Sequence, residues 1–247
     1  PQAKEISPYR YVGVNFNSQG NPNLKPSDNY NLDLKWDFNP TPTELISLTA
    51  FYKLIKNPIS RIEVASAGGY LSYENIADKA TVAGVEIEIR KNLFVRPVSN
   101  AAHGMNKLSL GLNGSYIYTN AKMPLATVTT GSQLEGAAPW IVNFDLSHNF
   151  TKGERSFVNT LVLNYVSDKI YTIGTQGYQD MMEQGVLTLD FVSQAKLNKH
   201  LSLNLKARNL LNPSYKLSRK ANENGEKVIL NDYKKGINIS LGVSCTF

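Results

Sequence analysis

The chain has 247 residues, with 26 Lys and Arg against 20 Asp and Glu for a net charge of +6, a pI near 9.2 and a mean hydropathy of −0.28. The single Cys245 excludes an internal disulfide, and three scattered histidines, His103, His148 and His200, offer no metal-ligand spacing. No apolar run reaches the roughly 18 residues of a membrane helix, which leaves open a membrane barrel, where only alternate residues meet lipid. The basic balance suits an anionic membrane surface or an acidic ligand; without a compact basic run, nucleic acid is not an expected partner.

The opening PQAKEISPYR carries neither an initiating Met nor a signal peptide, so an interior start is expected. From there a period of two recurs along the chain, and helical spacing never holds for long. A first strand is expected around Tyr9 to Phe16. DNYNLDLKWDF then sets Tyr30, Leu32, Leu34, Trp36 and Phe38 against Asn31, Asp33, Lys35 and Asp37. ELISLTAFYKLI is less clean, with apolar residues on both faces. GVEIEIRK sets Val85, Ile87 and Ile89 against Glu86, Glu88 and Arg90, and KLSLGLNGSYIYT sets Leu108, Leu110, Leu112, Gly114, Tyr116 and Tyr118 against Lys107, Ser109, Gly111, Asn113 and Ser115. APWIVNFDLSHNF, the less regular RSFVNTLVLNYV, LSLNLKAR and the terminal GINISLGVSCTF continue the series. The expected total is about ten strands, nine of them from Asn29 onward.

The connections alternate in length. NPTPTE, TKGE and KLNKH are short; IKNPISRIEVASAGGYLSYENIADKATVAG, NAKMPLATVTTGSQLEGAA, SDKIYTIGTQGYQDMMEQG and NPSYKLSRKANENGEKVILNDYKKG are long; KNLFVRPVSNAAHGMN is intermediate. An outer-membrane barrel has short periplasmic turns and long external loops, whereas a soluble sandwich has no reason to alternate. With that orientation Tyr30, Tyr116, Tyr118, Trp140 and Tyr165 fall at the outer lipid interface, and Trp36, Phe38, Phe150 and Phe247 at the inner one. By parity Asp33, Lys35, Asp37, Glu86, Glu88, Arg90, Asp145, Lys206 and Arg208 point into a lumen, where cross-strand ion pairs are expected. Cys245 falls on the lipid face.

Several strings resemble, in order, the C-terminal half of the barrel of TonB-dependent outer-membrane receptors, particularly those of Bacteroidetes-type bacteria. They are GNPNLKPSDNYNLDLKWDF, ELISLTAFYKLIKNPISRI, GVEIEIRKNL, GAAPWIVNFDLSHNF and ARNLLNPSY followed by a last strand ending in Phe. The resemblance implies a barrel of about 22 strands filled by a plug. It implies uptake of a large scarce nutrient, such as a siderophore, cobalamin or glycan, driven through TonB. The expected fold is therefore an all-β antiparallel transmembrane barrel segment over residues 1–247. The plug, the TonB-contacting segment and the N-terminal strands are expected in the rest of the same receptor.

Further expected partners are outer-membrane lipids, lipopolysaccharide and a surface lipoprotein. Phe247 would be the barrel-assembly signal. Tyr70, Tyr73, Tyr171, Tyr178 and Tyr215 could stack on a ligand or simply pack the loops, and Arg90 and Arg208 could contact ligand in the lumen. Lys216, Arg219, Lys220, Lys227, Lys234 and Lys235 populate the last long loop, solvated or facing phosphates. No nucleophile, phosphate loop, metal cluster or cofactor motif accompanies the carboxylates, so no enzyme is expected. The rival readings are a passive porin-like or adhesin-like barrel and a secreted soluble β-sandwich that binds carbohydrate.

Overall fold

A computed structural model describes residues 1–64, 69–98, 104–123, 133–175, 177–221 and 225–246; His103 and Phe247 lie outside them. After a helical turn α1 (Ala3–Ile6) come the short β1 (Arg10–Tyr11) and β2 (Ser18–Gln19), then β3 (Asp28–Phe38) and β4 (Leu45–Lys56). A hairpin of β5 (Ile59–Val64) and β6 (Tyr70–Asn75) precedes the long β7 (Lys79–Pro97) and β8 (Met105–Ala121). There follow β9 (Trp140–Lys152), β10 (Arg155–Val166), β11 (Lys169–Thr172), β12 (Met181–Glu183), β13 (Val186–Lys196) and β14 (Leu201–Arg208). The hairpin β15 (Ser214–Lys220) and β16 (Lys227–Lys234) leads into β17 (Asn238–Cys245).

Nine strands form one antiparallel meander in the order β3-β4-β7-β8-β9-β10-β13-β14-β17. Every neighbour in this wall is also the next wall strand in sequence, as short turns and returning loops require. The register collects the alternating side chains on two faces. One row runs Trp36↔Leu48↔Ile87↔Gly114↔Val142↔Tyr165↔Leu187, and another runs Leu201↔Cys245. Asp37, Ser47, Glu88 and Asn113 share the opposite face, as do Lys206 and Ser240. The wall thus has one apolar and one polar face, and among the described residues β3 and β17 are its open edges.

The ambiguous fourth strand is resolved by its neighbours. Phe51 stands on the polar face directly opposite Gly84, where a Cβ would run into the Phe51 ring and lie 2.5 Å from the Tyr116 carbonyl oxygen. An aromatic ring laid over a glycine fills the hole that the glycine leaves.

Three sequence expectations are corrected. Residues 9–16 do not add a wall strand; β1 and β2 join the separate four-stranded sheet β1-β2-β6-β5. The segment is tied back instead, by the Asn21 amide donating to the Glu5 carbonyl (2.6 Å) and the Gln19 side-chain amide to the Pro8 carbonyl (2.9 Å). Much of KNLFVRPVSNAAHGMN is strand, since β7 runs to Pro97 and pairs with β8 through a bulge between Asn92 and Phe94. Where charges meet on the polar face, the ion pairs run along single strands, Lys35–Asp37 at 3.2 Å and Glu88–Arg90 at 2.7 Å, rather than between strands.

The buried core is not in the wall. Ile62, Ile76, Ala77, Ala80, Ala121, Leu134, Ile170 and Ile173 cluster among the long connections and the strand ends that carry them. These connections bend away from the wall at asparagines. Asn57 (φ 48°), ahead of Pro58, ends β4; Asn209 (φ 58°) and Asn212 (φ 43°) follow β14. Asn tolerates the left-handed region and its amide supplies local partners. The Asn209 side chain donates to the Gly236 carbonyl at 2.7 Å, and the Gly236 amide donates to the Asn212 Oδ1 at 3.1 Å. The NLLNPSY string is therefore a wall-to-loop junction, closed on itself just before β17.

Candidate functional site in the loop layer

At the end of the wall carrying the long connections, the four-stranded sheet β11-β12-β15-β16 faces the hairpin β5–β6. The two meet where Ile62 bridges Ile173 in parallel. The Ile173 amide donates to the Arg61 carbonyl (3.0 Å) and the Glu63 amide to the Ile173 carbonyl (3.2 Å). The Thr175 hydroxyl donates to the Glu63 carbonyl at 2.5 Å. Period two along β5 buries Ile62, 5% exposed, and places Arg61 and Glu63 together on the other side.

Each of those two charges is claimed by a different loop. Glu135, from residues 122–139, accepts from Arg61 Nε (3.1 Å) and Nη2 (2.6 Å) through one oxygen and from the Arg61 backbone amide (2.6 Å) through the other. Glu63 pairs with Arg219 of β15, both side chains only 15% exposed. Burial, the largest influence on Arg61, disfavours its charge, but the Glu135 carboxylate outweighs this and holds the guanidinium above its ordinary range. Burial likewise raises the Tyr73 phenol, with Arg61 opposing. The cluster is a clasp: residues of four long connections meet on one short strand.

The loop tyrosines are placed accordingly. The Arg61 guanidinium carbon lies 4.2 Å from the Tyr171 ring centroid, Arg10 lies 5.4 Å over Tyr70, and Arg219 lies 5.2 Å over Tyr178. Tyr73 pairs with Arg61 across β5–β6. Tyr70, Tyr171 and Tyr178 are thus held by cation–π packing, and Tyr73 by its place opposite Arg61 in the hairpin. Tyr215 stacks on Tyr233 at 5.5 Å beneath the Lys235 ammonium at 3.8 Å. It also borders a hollow of about 150 Å³ with Asn164, Thr188, Lys169 and Glu183, and Asn164 and Thr188 belong to the polar face of the wall. Arg208 stands on that face at the long-loop end, opposite Asn238. Arg90 stands at the other end, opposite Leu45 and paired to Glu88, so the structure does not bring it to the loop layer.

Of the basic residues in the last loop, Arg219 is consumed by the clasp, Lys216 faces Asp232 at 3.7 Å and Lys227 faces Asp168 at 3.9 Å. A cleft of about 310 Å³ lies between Asp168, Asp180, Ser218, Arg219, Lys220 and Lys227. Sequence reasoning missed Arg61, Glu63 and Glu135. Only the alternation RIEV hinted that β5 carried a charged side.

The eight interface aromatics, Tyr30, Trp36, Phe38, Tyr116, Tyr118, Trp140, Phe150 and Tyr165, all stand on the apolar face. Tyr116 and Trp140 touch at 4.6 Å near the long-loop end, and Trp36 and Phe38 stack at 6.1 Å near the short-turn end. No helix among the described residues is long and apolar enough to cross a membrane, and this says nothing of strands.

Residues 1–210 match the family described as TonB dependent receptor-like, beta-barrel. No curated protein and no solved structure matches the chain. With most of its length inside that match, a one-sided apolar meander and a layer of long loops over one end, the chain belongs to the β-barrel family of TonB-dependent receptors, outer-membrane receptors and transporters of Gram-negative bacteria.

Proposed function

We propose that this chain is the C-terminal part of the barrel of an outer-membrane receptor that takes up a large scarce nutrient with energy delivered through TonB. The apolar face meets lipid, the polar face lines the lumen, and the long loops stand at the cell surface. One observation carries the reading: connections that alternate in length around a meander with a single apolar face. Open edges in lipid leave backbone groups unsatisfied at several kcal/mol each, so β3 and β17 pair with further strands of the same receptor. A plug from that receptor contacts TonB. A surface lipoprotein would dock on the loop layer.

Within this reading the substrate approaches the lumen past Tyr215 and Arg208, which border the polar face at the loop end. Tyr70, Tyr73, Tyr171 and Tyr178 hold the loops in the shape that the substrate meets. The test is uptake by the receptor in cells with and without TonB, alongside heat-modifiable gel mobility of the membrane fraction. The reading expects a heat-modifiable membrane protein whose uptake is lost without TonB. Uptake indifferent to TonB would identify a passive barrel, and recovery in plain buffer would refute the membrane assignment.

A further inference from the structure

At the short-turn end the apolar face has a polar interruption. At the short-turn end of β7–β10 the cross-strand register places Lys91, Arg96, Lys152 and Arg155 on the face that carries Ile87, Leu108, Phe150 and Phe157. All four cations are exposed, and none makes an ion pair among the described residues. Beside them on the same face stands a half-buried polar row. His148 bonds Asn106 at 2.8 Å, and Ser193 donates to Asn159 at 2.7 Å.

Elsewhere at this end the face is apolar: Trp36, Phe38, Ile46 and Leu48 on one side, Leu203 and Val243 on the other. The nearby carboxylates Glu44 and Glu154 belong to turns, and Glu44 accepts from the Asn92 amide at 3.0 Å. The patch is therefore positive only.

The β7 bulge helps to make it. Before the bulge odd-numbered residues face with Ile87; after it Phe94 pairs Leu108 and Arg96 pairs Asn106, so the face changes to even numbers. An unbroken strand would have put Val95 on the apolar face and Arg96 on the polar one. The bulge inverts this, and Arg96 lies 5.6 Å over the Phe94 ring. Bulges re-aim side chains, and this one turns a cation toward lipid at the cost of an apolar residue. Depth fits a headgroup rather than the acyl region. From Trp140 to Phe150 a tilted strand climbs about 24 Å, close to the height of the apolar band, and Lys152 and Arg155 lie just beyond.

We infer that this patch binds the phosphate of an anionic glycerophospholipid from the inner leaflet, Lys91, Arg96, Lys152 and Arg155 supplying charge and the His148–Asn106 and Ser193–Asn159 pairs polar contacts beside it. The inference rests on the outer-membrane reading above. Basic residues near a surface each strengthen attraction to anionic lipid by roughly fivefold.

The test uses the full receptor in nanodiscs of equal parts phosphatidylglycerol and phosphatidylethanolamine, with retained lipid measured by native mass spectrometry after extraction. Phosphatidylglycerol should be retained preferentially, and Lys152→Gln with Arg155→Gln should weaken retention about 25-fold. Lys107→Gln with Lys196→Gln, the same charge change on the polar face at the same end, should leave it unaltered. Equal retention of both lipids, or equal loss in the control pair, would overturn the proposal. So would a dimer that dissolves on neutralising the patch while retained lipid stays constant, since the occupant would then be a second copy. A receptor that inserts and transports but shows no lipid preference defeats only this inference; one that fails to insert defeats the function proposed above as well.

Discussion

Truncating Glu63 to alanine isolates the clasp. Glu63 and Arg219 are each only 15% exposed, so Glu63→Ala leaves a guanidinium without its carboxylate in a site with little water. The Arg219 Nε already has no hydrogen-bond partner among the described residues. Breaking such a buried pair by removing one partner costs about 3 kcal/mol, and at 1.4 kcal/mol per tenfold the loop layer should open roughly a hundredfold more often. Hydrogen exchange reads this directly, because the Ile173 and Glu63 amides bond from one loop to the other. Both should exchange about a hundredfold faster, while amides in the β9–β10 ladder keep their protection. Glu63→Ala with Arg219→Ala should cost less than the sum of the single changes, since the stranded charge is then gone. Unchanged exchange at Ile173 and Glu63, or acceleration spread equally through the wall, would refute the idea that this pair closes the layer.

Glu135→Gln, which replaces the carboxylate holding Arg61 through three hydrogen bonds, should raise the sensitivity of residues 122–139 to limited proteolysis while leaving heat-modifiable mobility intact. Gly84→Ala should lower assembled receptor through a clash with Phe51 and the Tyr116 carbonyl, costing about 1–3 kcal/mol, with partial rescue by Phe51→Leu. Gly111→Ala should assemble normally by the same gel assay, because the three nearest atoms to the added methyl all belong to the Asp145 carboxyl group, which can rotate away, and none is backbone. Phe247→Ala should lower outer-membrane levels on immunoblots of fractionated cells; unchanged levels would remove it as an assembly signal.

The wall was legible because its information is local. Period two in DNYNLDLKWDF or LSLNLKAR assigns each residue a face without knowledge of the neighbouring strand, and turn length assigns the ends. Where that local rule is broken, the reading fails. Nothing in KNLFVRP announces that the strand gains a residue near Leu93, so Arg96 and Val95 exchange faces unannounced. The alternation near Tyr9–Phe16 looks like a strand, yet the Glu5–Asn21 tie and the pairing of Ser18 with Leu71 capture it in the loop layer. The clasp was least visible. Arg61 and Glu135 are 74 residues apart, and Glu63 and Arg219 are 156 apart, and no spacing rule links a charge to a partner at such distance. The tyrosines drew notice as aromatic side chains in loops; the cations packed on them are what fix their role in the layer.

The short strand β5 holds Glu135 with one charge and Arg219 with the next, and its backbone grips Ile173 between them. Loops that are tied to a common strand are inherited as a set. A chimaera that imports from a relative only the connection carrying β5, Glu135 or Arg219 would leave a charge of the clasp unmatched, whereas exchanging all four connections together would carry the clasp along. On the proposed function, changes in cargo should therefore come either from concerted replacement of the whole layer or from residues such as Tyr215 and Arg208, which border the polar face of the wall without holding the layer shut.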